Sequence, residues 1–463
     1  MSDQLSGMDS AFLSLETPES PMHVVGALLL DPSGGEGFSI DRLREVIEQR
    51  VPLMPPFCRR LVQVPLDLDR PYWHYDTSID LSEHVVYTHL PAGDLHALAD
   101  YVGEISSELL DRSKPLWQMH VVQGLDDGRI AIVAKVHHST LYGAAGAEFI
   151  AELLDLSPEP QDKPVPEPAD AGSPPSRATL AGRAVMAQAK APVEVARLVG
   201  RAARSAPGTV KSIGDLISRR GRDALPPTAP DVPISGTPTA RRSTAFGALS
   251  LDLIREVKTA NGVTINDAVL ATVALAMRRY LANREAVPAK PLVAGVPVNI
   301  GEGEAAGTNA LTTMLVGLPM DIDDPAELIA AVHAESVKAK EFISVVGLNA
   351  VANLADLTVP AALNFVTWFT RSIGAASLQP TMLNLVVSNV MGPPIPLYLA
   401  GAQVDAIYPM GPLLTGAGMN ITVLSNLDRL DVGIMACPDL VDDCWEIVNA
   451  LPECLDELAK TLA

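Results

Sequence analysis

The sequence predicts a mixed α/β fold divided between two domains. The chain has 463 residues, which is more than one hydrophobic core usually serves. Both halves alternate β-branched runs with helical patterns, and a proline-rich stretch separates them. We therefore expect an N-terminal domain over 1–160, a linker and crossover segment over 161–242, and a C-terminal domain over 243–463.

The composition indicates a large core and no membrane-spanning segment. Apolar residues make up 48% of the chain, and the mean hydropathy is +0.21. The most apolar stretch, 350–369, is interrupted by Asn353, Asp356 and Pro360, so we expect a buried or tunnel-lining helix pair there. The N-terminus lacks the basic and apolar regions of a signal peptide, which predicts a cytoplasmic protein.

Charge and cysteine content argue against several classes of site. The net charge of −21 disfavours nucleic-acid binding, which needs a basic surface to neutralise phosphates. The four cysteines form no C-x-x-C pair and have no metal-like spacing with histidine, so we expect neither a metal site nor a disulfide framework. These cysteines are Cys58, Cys437, Cys444 and Cys454.

In the N-terminal half, periodicity predicts strands and helices in alternation. The expected elements are a strand over 22–30, helices over 40–49 and 95–110, and strands over 115–122 and 130–136. The last two strands are joined by a Gly/Asp turn over 124–128, which predicts a hairpin. That hairpin would place Trp117 and the end of the second strand in one sheet.

The segment after Ser157 changes in composition. Seven prolines between 158 and 175 indicate an extended linker. Residues 177–222 then contain ten basic residues and two acidic ones, the strongest charge asymmetry in the chain. Two interpretations stay open: a helix lying on an anionic membrane face or lipid-droplet surface, or a solvated crossover helix between the domains.

The C-terminal half repeats the mixed pattern without an internal sequence repeat. Asn261-Gly262 predicts a helix end, and Thr264 to Asp267 offers capping residues for the helix that follows. The expected strands are 244–251, 291–300, 383–390, 420–426 and 429–434, and the expected helices are 268–281, 325–340 and 442–462.

The chemistry of the chain is expected at the end of the 130–136 strand. Two adjacent histidines, His137 and His138, directly follow this strand, and Gly143 comes five residues after His138. Neighbouring side chains on a strand point to opposite faces, so only one histidine can enter a given cleft. A histidine can take a proton from a hydroxyl nucleophile and return it to a leaving group, and a glycine leaves room for a substrate arm. Two adjacent histidines are, however, also common in structural positions.

Three further motifs give the histidine pair a context. They are Pro115-Leu116-Trp117, Asn266-Asp267 and Ser388-Asn389, the last followed by Gly392-Pro393. Together the pattern resembles the bacterial wax ester synthase/acyl-CoA:diacylglycerol acyltransferase family, from Met8-Asp9 to the C-terminal helix. The resemblance implies the two-domain fold of acyl-CoA-dependent (chloramphenicol acetyltransferase-like) acyltransferases, with the active site in a channel between the domains.

The resemblance also implies a reaction. The family motif is H-H-x-x-x-D-G, whose second histidine is the general base, so the base here would be His138. It would deprotonate the hydroxyl of diacylglycerol or a long-chain alcohol, which then attacks an acyl-CoA thioester. Acyl-CoA is thus a substrate, no cofactor is expected, and no covalent acyl-enzyme is needed.

The chain departs from the family pattern at two positions. Tyr142 occupies the position of the motif aspartate, and Gly301 occupies the position of the arginine that pairs with that aspartate in the family. Loss of one partner would leave a buried charge at a cost of about 3–5 kcal/mol, whereas loss of both can be nearly neutral. We expect Tyr142 to pack inward and His138 to keep its position with less support, so that activity is reduced or redirected.

The remaining motif residues have expected supporting roles. Asn266 has two interpretations that stay open, a donor to the developing oxyanion and a helix N-cap, whereas Asp267 in the first helical turn is expected to be structural. Trp117 is expected to pack and Pro115 to begin a strand.

The other candidates concern the walls of the site. Gly143, Ser388 and Asn389 are expected to line the substrate channel. His23 and His120, on apolar strands, are expected to be core or channel histidines.

Three functions remain under consideration at this point. The leading one is an O-acyltransferase that makes triacylglycerol or wax ester from acyl-CoA. The second is a catalytically weak relative that binds acyl-CoA or neutral lipid, favoured by Tyr142 and Gly301. The third is acyl transfer involving a carrier protein, against which the Pro115-Leu116-Trp117 and Asn266-Asp267 elements speak.

Overall fold

Within its described residues the chain forms two six-stranded mixed sheets and one small three-stranded sheet, packed with helices, which confirms the mixed α/β class. A computed structural model describes residues 2–33, 38–76, 79–91, 93–140, 151–159, 172–189, 211–212, 214–216, 218–219, 225–299, 311–346 and 382–460. The predicted helix pair over 350–369 lies outside these residues, as does much of the basic segment.

The elements are numbered in chain order. The strands are β1 (Ser2–Gln4), β2 (His23–Asp31), β3 (Arg59–Val62), β4 (Tyr72–Tyr75), β5 (Val85–His89), β6 (Trp117–Gln123), β7 (Ile130–His137), β8 (Ser243–Ser250), β9 (Leu292–Asn299), β10 (Leu311–Leu318), β11 (Leu385–Val390), β12 (Tyr398–Leu399), β13 (Ala402–Met410), β14 (Met419–Asn426) and β15 (Arg429–Ala436). The helices are α1 (Gly7–Leu15), α2 (Ile40–Arg50), α3 (Leu95–Ser107), α4 (Leu251–Asn261), α5 (Ile265–Ala282), α6 (Pro325–Val346) and α7 (Cys444–Ala459).

The first large sheet has the strand order β12-β13-β2-β7-β6-β5. The predicted hairpin is confirmed: β6 and β7 pair antiparallel, and Trp117 lies opposite Val136. Strand β13, which belongs to the segment assigned from sequence to the C-terminal domain, pairs antiparallel with β2 along nearly its whole length. The sheet is therefore built from both halves of the chain.

The second large sheet has the order β10-β9-β11-β14-β15-β8, and β11 runs parallel to both of its neighbours. Helix α4 ends as predicted at Asn261, and Gly262 adopts the left-handed conformation (φ 65°) that closes such a helix end. Thr264 then caps α5 in a capping box with Asp267. Helix α5 is buried along most of its length and forms the centre of the C-terminal core.

The two large sheets contact each other closely, and one of these contacts also joins the two halves of the chain. A Cβ at Gly433 on β15 would lie 2.1 Å from the carbonyl oxygen of Pro409 on β13, so only glycine allows this approach. The buried carboxylate of Asp431 accepts a hydrogen bond from the backbone N–H of Ile407 at 2.8 Å. On another side, the hydroxyl of Thr244 on β8 donates to the carbonyl of Ala99 on α3 at 2.8 Å.

Helix α3 ends three residues before the predicted boundary at 110. The ammonium group of the fully buried Lys135 donates to the carbonyls of Ile105 and Glu108, each at 2.6 Å. These bonds satisfy carbonyls that a continuing helix would use, and the chain turns extended at Glu108. Burial lowers the pKa of Lys135 to about 8.

None of the helices in the described ranges is by itself long and apolar enough to span a bilayer. Helices α4 and α5 reach that length only as a pair, which is bent by 105°.

A buried ion pair provides a test of how the N-terminal core is held together. The guanidinium of Arg50 at the end of α2 donates to both oxygens of Asp155 at 2.7 and 2.8 Å, and also to the carbonyl of Leu153. We expect Asp155→Ala to lower the free energy of unfolding by about 3–5 kcal/mol, because it leaves the Arg50 charge buried without its carboxylate. Denaturant unfolding measures this change.

The matched control is the double variant Arg50→Met/Asp155→Leu, which removes both charges. It should recover most of the lost stability. A single variant as stable as the wild type would show that the pair does not hold this part of the fold.

Candidate active site

Strand β7 ends at the histidine pair and is held on both sides. Every residue of β7 is buried, and it pairs with β2 so that His23 lies opposite His137. The pairing extends one residue further, because the backbone N–H of His138 donates to the carbonyl of Met22 at 2.8 Å. The backbone of both histidines is thus fixed by the sheet rather than by a free loop.

His137 points inward and is held in one tautomer. Its side chain is fully buried. The backbone N–H of Ser139 donates to its Nδ1 at 3.1 Å, and the hydroxyl of Ser139 lies 2.7 Å from the same atom. A backbone N–H can only donate, so Nδ1 is an acceptor and the ring proton of neutral His137 resides on Nε2.

The Nε2 atom of His137 faces a buried carboxylate, Glu16, at the C-terminal end of α1. Glu16 Oε1 lies 3.2 Å from Nε2 of His137 and 3.2 Å from Nε2 of His23, close contacts that lack ideal hydrogen-bond alignment. Its other oxygen accepts from Arg112 Nη2 at 2.9 Å. The Glu16 side chain is only 2% exposed. We call these four residues, Glu16, His23, His137 and Arg112, the acid cluster.

The electrostatics of the acid cluster keep Glu16 ionised. Burial by itself would raise the pKa of Glu16, but the contacts with His137 and His23 hold it well below its usual range. Burial lowers the pKa of His23 to about 4, so this histidine is neutral at pH 7. The cluster therefore contains one buried carboxylate whose charge is balanced by Arg112.

The side chain of His138 lies on the opposite side of the backbone from that of His137 and is half-buried. Its ring stacks on Phe12 of α1, with the ring centroids 4.0 Å apart and an angle of 23° between the planes. Among the described residues its buried Nδ1 has no hydrogen-bond partner. Burial, and secondarily the neighbouring His137, lowers the pKa of His138 to about 4, so the imidazole is unprotonated at neutral pH.

Glu16, Arg112 and Phe12 were not singled out in the sequence. Glu16 and Phe12 lie on or next to α1, whose N-cap Ser6 accepts from the backbone N–H of Asp9 at 3.1 Å. The signal available was the Ser6-to-Asp9 capping spacing, which locates the helix but not its contact with β7. His23, expected to be a core or channel histidine, is buried beside Glu16.

The region after His138 leaves two expectations open. Tyr142 and Gly143 lie outside the described residues, as does Gly301. The proposed compensation between Tyr142 and Gly301, and the place of Gly143 near the substrate, therefore stay predictions.

Trp117 and Pro115 lie at the start of β6. Trp117 is buried, its Nε1 donates to the carbonyl of Phe57 at 2.9 Å, and its ring stacks on His84. Pro115 precedes the strand and accepts from the backbone N–H of Trp117 at 2.9 Å. Both residues therefore have packing positions at the start of β6, the strand that pairs with the histidine strand β7.

The Asn266-Asp267 pair lies at the start of α5 in the C-terminal half. The expected N-cap alternative for Asn266 is wrong, because the N-cap is Thr264, whose own hydroxyl reaches the helix backbone, and Asn266 is the second helical residue. The fully buried Asp267 accepts from the backbone N–H of Thr264 at 3.0 Å and contacts Nδ1 of His333 at 2.8 Å. The half-buried Asn266 thus leaves its side chain free of the capping role.

Ser388 and Asn389 lie in β11, both half-buried, opposite Thr422 and Val423 of β14. No hydrogen bond or ion pair within the described part of the chain joins them, or Asn266, to His138. The structure therefore brings the histidine pair together with Glu16, Phe12 and the strand that begins at Trp117, and places Asn266, Asp267, Ser388 and Asn389 on the second large sheet and its helix α5.

The arrangement supports proton transfer. An unprotonated imidazole at a rigid strand end can accept a proton, and its neighbour His137 is oriented by a carboxylate. Among the described residues, no group of histidine, cysteine and carboxylate side chains has the geometry to hold a metal ion.

Comparison with known proteins gives consistent matches. Residues 5–269 match the family model described as the wax ester synthase/diacylglycerol acyltransferase catalytic domain, and residues 307–459 match the WS/DGAT C-terminal domain. A Mycobacterium tuberculosis protein named as a diacylglycerol O-acyltransferase is 35% identical, covering 99% of this chain and 90% of its own length. A second such protein of that organism is 33% identical, with 99% of each chain covered.

Solved structures agree with these matches. The wax ester synthase/diacylglycerol acyltransferase from Marinobacter aquaeolei VT8 superimposes with a TM-score of 0.69 at 26% identity, covering 99% of each chain. The first condensation domain of the CDA synthetase gives a TM-score of 0.55 at 15% identity, a likeness of fold alone.

A neutral replacement of the buried carboxylate tests the acid cluster. We expect Glu16→Gln to lower the free energy of unfolding at pH 7 by about 2 kcal/mol, because the charge that Arg112 and the two histidines face is lost. The contribution of Glu16 is present above about pH 4.5 and is lost as the pH falls below it, since the unfolded chain takes up that proton first. Denaturant unfolding of wild type and Glu16→Gln, at pH 7 and below about pH 4.5, measures the difference.

The control is Glu45→Gln, which neutralises an exposed glutamate on α2 and should leave stability nearly unchanged. Equal stability of Glu16→Gln and wild type at pH 7 would contradict the proposed balance of charge.

Proposed function

Because the chain belongs to the wax ester synthase/diacylglycerol acyltransferase family, and is therefore an acyltransferase, we propose that it transfers a long-chain acyl group from acyl-CoA to diacylglycerol or a long-chain alcohol, with His138 as general base. The observation that supports this role is the unprotonated, half-buried imidazole of His138 at the rigid end of β7. Acyl-CoA is the donor substrate, and no cofactor is part of the proposal.

The proposed reaction proceeds in one continuous sequence. His138 takes the proton of the acceptor hydroxyl while the oxygen of that hydroxyl attacks the thioester carbonyl carbon. The tetrahedral oxyanion then collapses, the carbon–sulfur bond breaks, and the imidazolium returns the proton to the departing CoA thiolate. No acyl group becomes attached to the protein, because the acceptor attacks the thioester directly.

The surrounding residues have distinct proposed parts in this sequence. His137, held by Glu16 and Ser139, is a positioning residue that fixes the backbone turn presenting His138. Asn266 is proposed as a donor to the oxyanion, a contribution of about 3 kcal/mol in comparable sites. Gly143, Ser388 and Asn389 are proposed to line the substrate channel.

A base with a low pKa has a chemical consequence. Neutral His138 is available as an acceptor at physiological pH, but its low basicity in the resting enzyme reduces the driving force for proton transfer. Binding of the acceptor hydroxyl would supply the partner that the ring lacks. The burial that keeps His138 unprotonated therefore also lowers its basicity, and with it the rate of proton transfer.

The second candidate function is a relative that binds acyl-CoA or neutral lipid with little turnover. The replacement of the motif aspartate by Tyr142 favours it. The two candidates differ in whether acyl-CoA is consumed.

Release of free thiol from palmitoyl-CoA separates these functions. We expect release that depends on added diacylglycerol or hexadecanol, and a loss of about 10²- to 10⁴-fold in kcat for His138→Ala, because the base is removed. The matched control His96→Ala replaces an exposed histidine on α3 and should keep activity. Binding of acyl-CoA without release in the wild type would favour the lipid-binding function.

The pH dependence tests the protonation state of His138. Since its pKa is lowered to about 4, we expect kcat/KM to stay flat on the acidic side and to fall only as the pH approaches 4, where the base becomes protonated. The measurement is kcat/KM for the acceptor at sub-saturating acyl-CoA, which reports the resting enzyme, across the range in which circular dichroism shows the protein folded. An acidic limb near 6.5, the ordinary histidine value, would contradict this assignment.

A further inference from the structure

A histidine of the C-terminal half, His333 on α6, is held by a buried carboxylate that the proposed reaction does not use. Its Nδ1 lies 2.8 Å from Oδ2 of Asp267, which is fully buried at the start of α5. An ionised carboxylate can only accept a hydrogen bond, so Nδ1 carries the proton and donates it to Asp267. The His333 side chain itself is 39% exposed. The pair therefore joins a solvent-facing ring on one helix to a buried charge on another.

The same carboxylate oxygen closes the first turn of α5. Oδ2 of Asp267 also accepts from the backbone N–H of Thr264 at 3.0 Å and from the Thr264 hydroxyl at 2.8 Å. Burial by itself would raise the pKa of Asp267, but the hydrogen bonds from His333 and Thr264 hold it below its usual range. The carboxylate therefore stays ionised and keeps both sets of hydrogen bonds.

These two sets of hydrogen bonds differ in what they can fix. Those from Thr264 lie within a single helical turn and move with α5 as one unit. His333 comes from 66 residues further along the chain, so its contact ties the first turn of α5 to a neighbouring helix. That turn follows a bend of 105° between α4 and α5, so α4 does not continue straight into it. Loss of His333 would thus leave the turn formed but less firmly held against α6.

Asn266 lies in that turn, directly before Asp267. It is half-buried, and no hydrogen bond to another described residue holds its amide. The direction of the amide therefore depends on the backbone from which it projects, and Asp267 with its partner places that backbone. A donor to a developing oxyanion must lie about 2.7–3.1 Å from it, so small shifts of this turn affect the rate.

We propose that His333 is a positioning residue for acyl transfer: by holding Asp267 it fixes the first turn of α5, and with it the direction of the Asn266 amide. The inference rests on the proposed function, in which Asn266 is a donor to the oxyanion. His333 itself contacts none of the reacting atoms. Its effect should appear in kcat and leave the KM for acyl-CoA unchanged, because the oxyanion forms only as the thioester is attacked.

A double-mutant cycle between His333 and Asn266 tests this inference. We expect Asn266→Ala to lower kcat by about 10²-fold, as the loss of an oxyanion donor does. His333→Ala should lower kcat by about tenfold or more, because a misplaced donor slows the reaction. In the Asn266→Ala background the same change should cost less than about twofold in kcat. The melting temperature should fall equally in both backgrounds, since the packing of His333 does not depend on the Asn266 amide.

Two amide variants show which ring nitrogen of His333 matters. His333→Asn places its amide nitrogen nearly where Nδ1 lies, so it can still donate to Asp267 and should restore kcat to within about threefold of wild type. His333→Gln places its nitrogen near Nε2 instead and should behave as His333→Ala does. Both side chains are polar at a half-exposed position, so they keep the test independent of the stability of the alanine variant. Lys340→Ala, at an exposed position on α6, is the control and should keep activity.

Three results would overturn the inference while leaving the proposed function in place. They are a wild-type kcat in His333→Ala, an equal loss from His333→Ala with and without the Asn266 side chain, and a loss in His333→Asn as large as that in His333→Gln. A wild-type kcat in Asn266→Ala would remove the proposed oxyanion role and the inference with it. Absence of thiol release by the wild type would overturn both the inference and the proposed function.

Discussion

The buried carboxylate of Glu16 is the interaction on which the histidine end of the first large sheet depends. It contacts His137 on β7, His23 on β2 and Arg112 in the segment after α3. Four separate parts of the chain thus meet at one charge, because Glu16 itself ends α1. An ion this deeply buried persists only if its partners are all in place, so the contact fixes α1 against the strands.

That constraint explains how two neighbouring histidines come to have different surroundings. His137 is turned toward Glu16 and held in one tautomer, whereas His138 is turned to the other side and stacked on Phe12. Both Phe12 and Glu16 belong to the same short stretch of chain around α1. The helix therefore orients the first histidine through charge and contacts the second through its ring.

Local signals predicted much of the fold. The β6–β7 hairpin, the glycine end of α4 and the capping residues before α5 were predicted because each depends on residues close in sequence. The end of α3 was predicted too late, since the side chain that stops it, Lys135, comes from a strand about 30 residues away. The pairing of β13 with β2 was not predicted because it joins residues almost 400 positions apart.

In the candidate site, too, features that depend on nearby residues were predicted and those that depend on distant residues were not. The histidine pair could be predicted because both residues end one strand, but Glu16 could not, since nothing in its own neighbourhood identifies a partner of His137. Asn266 was given a capping alternative that Thr264 fulfils instead, because a hydroxyl two residues earlier reaches the same backbone groups.

The division of labour between the two histidines is tested most directly by replacing each with glutamine, whose amide nitrogen occupies nearly the place of Nε2. In His137→Gln an N–H can still face Glu16, so kcat should stay within about tenfold of wild type. In His138→Gln the proposed base is gone, and kcat should fall by about 10²-fold or more. Steady-state kcat values in the opposite order would show that His137 is the base and would contradict this account.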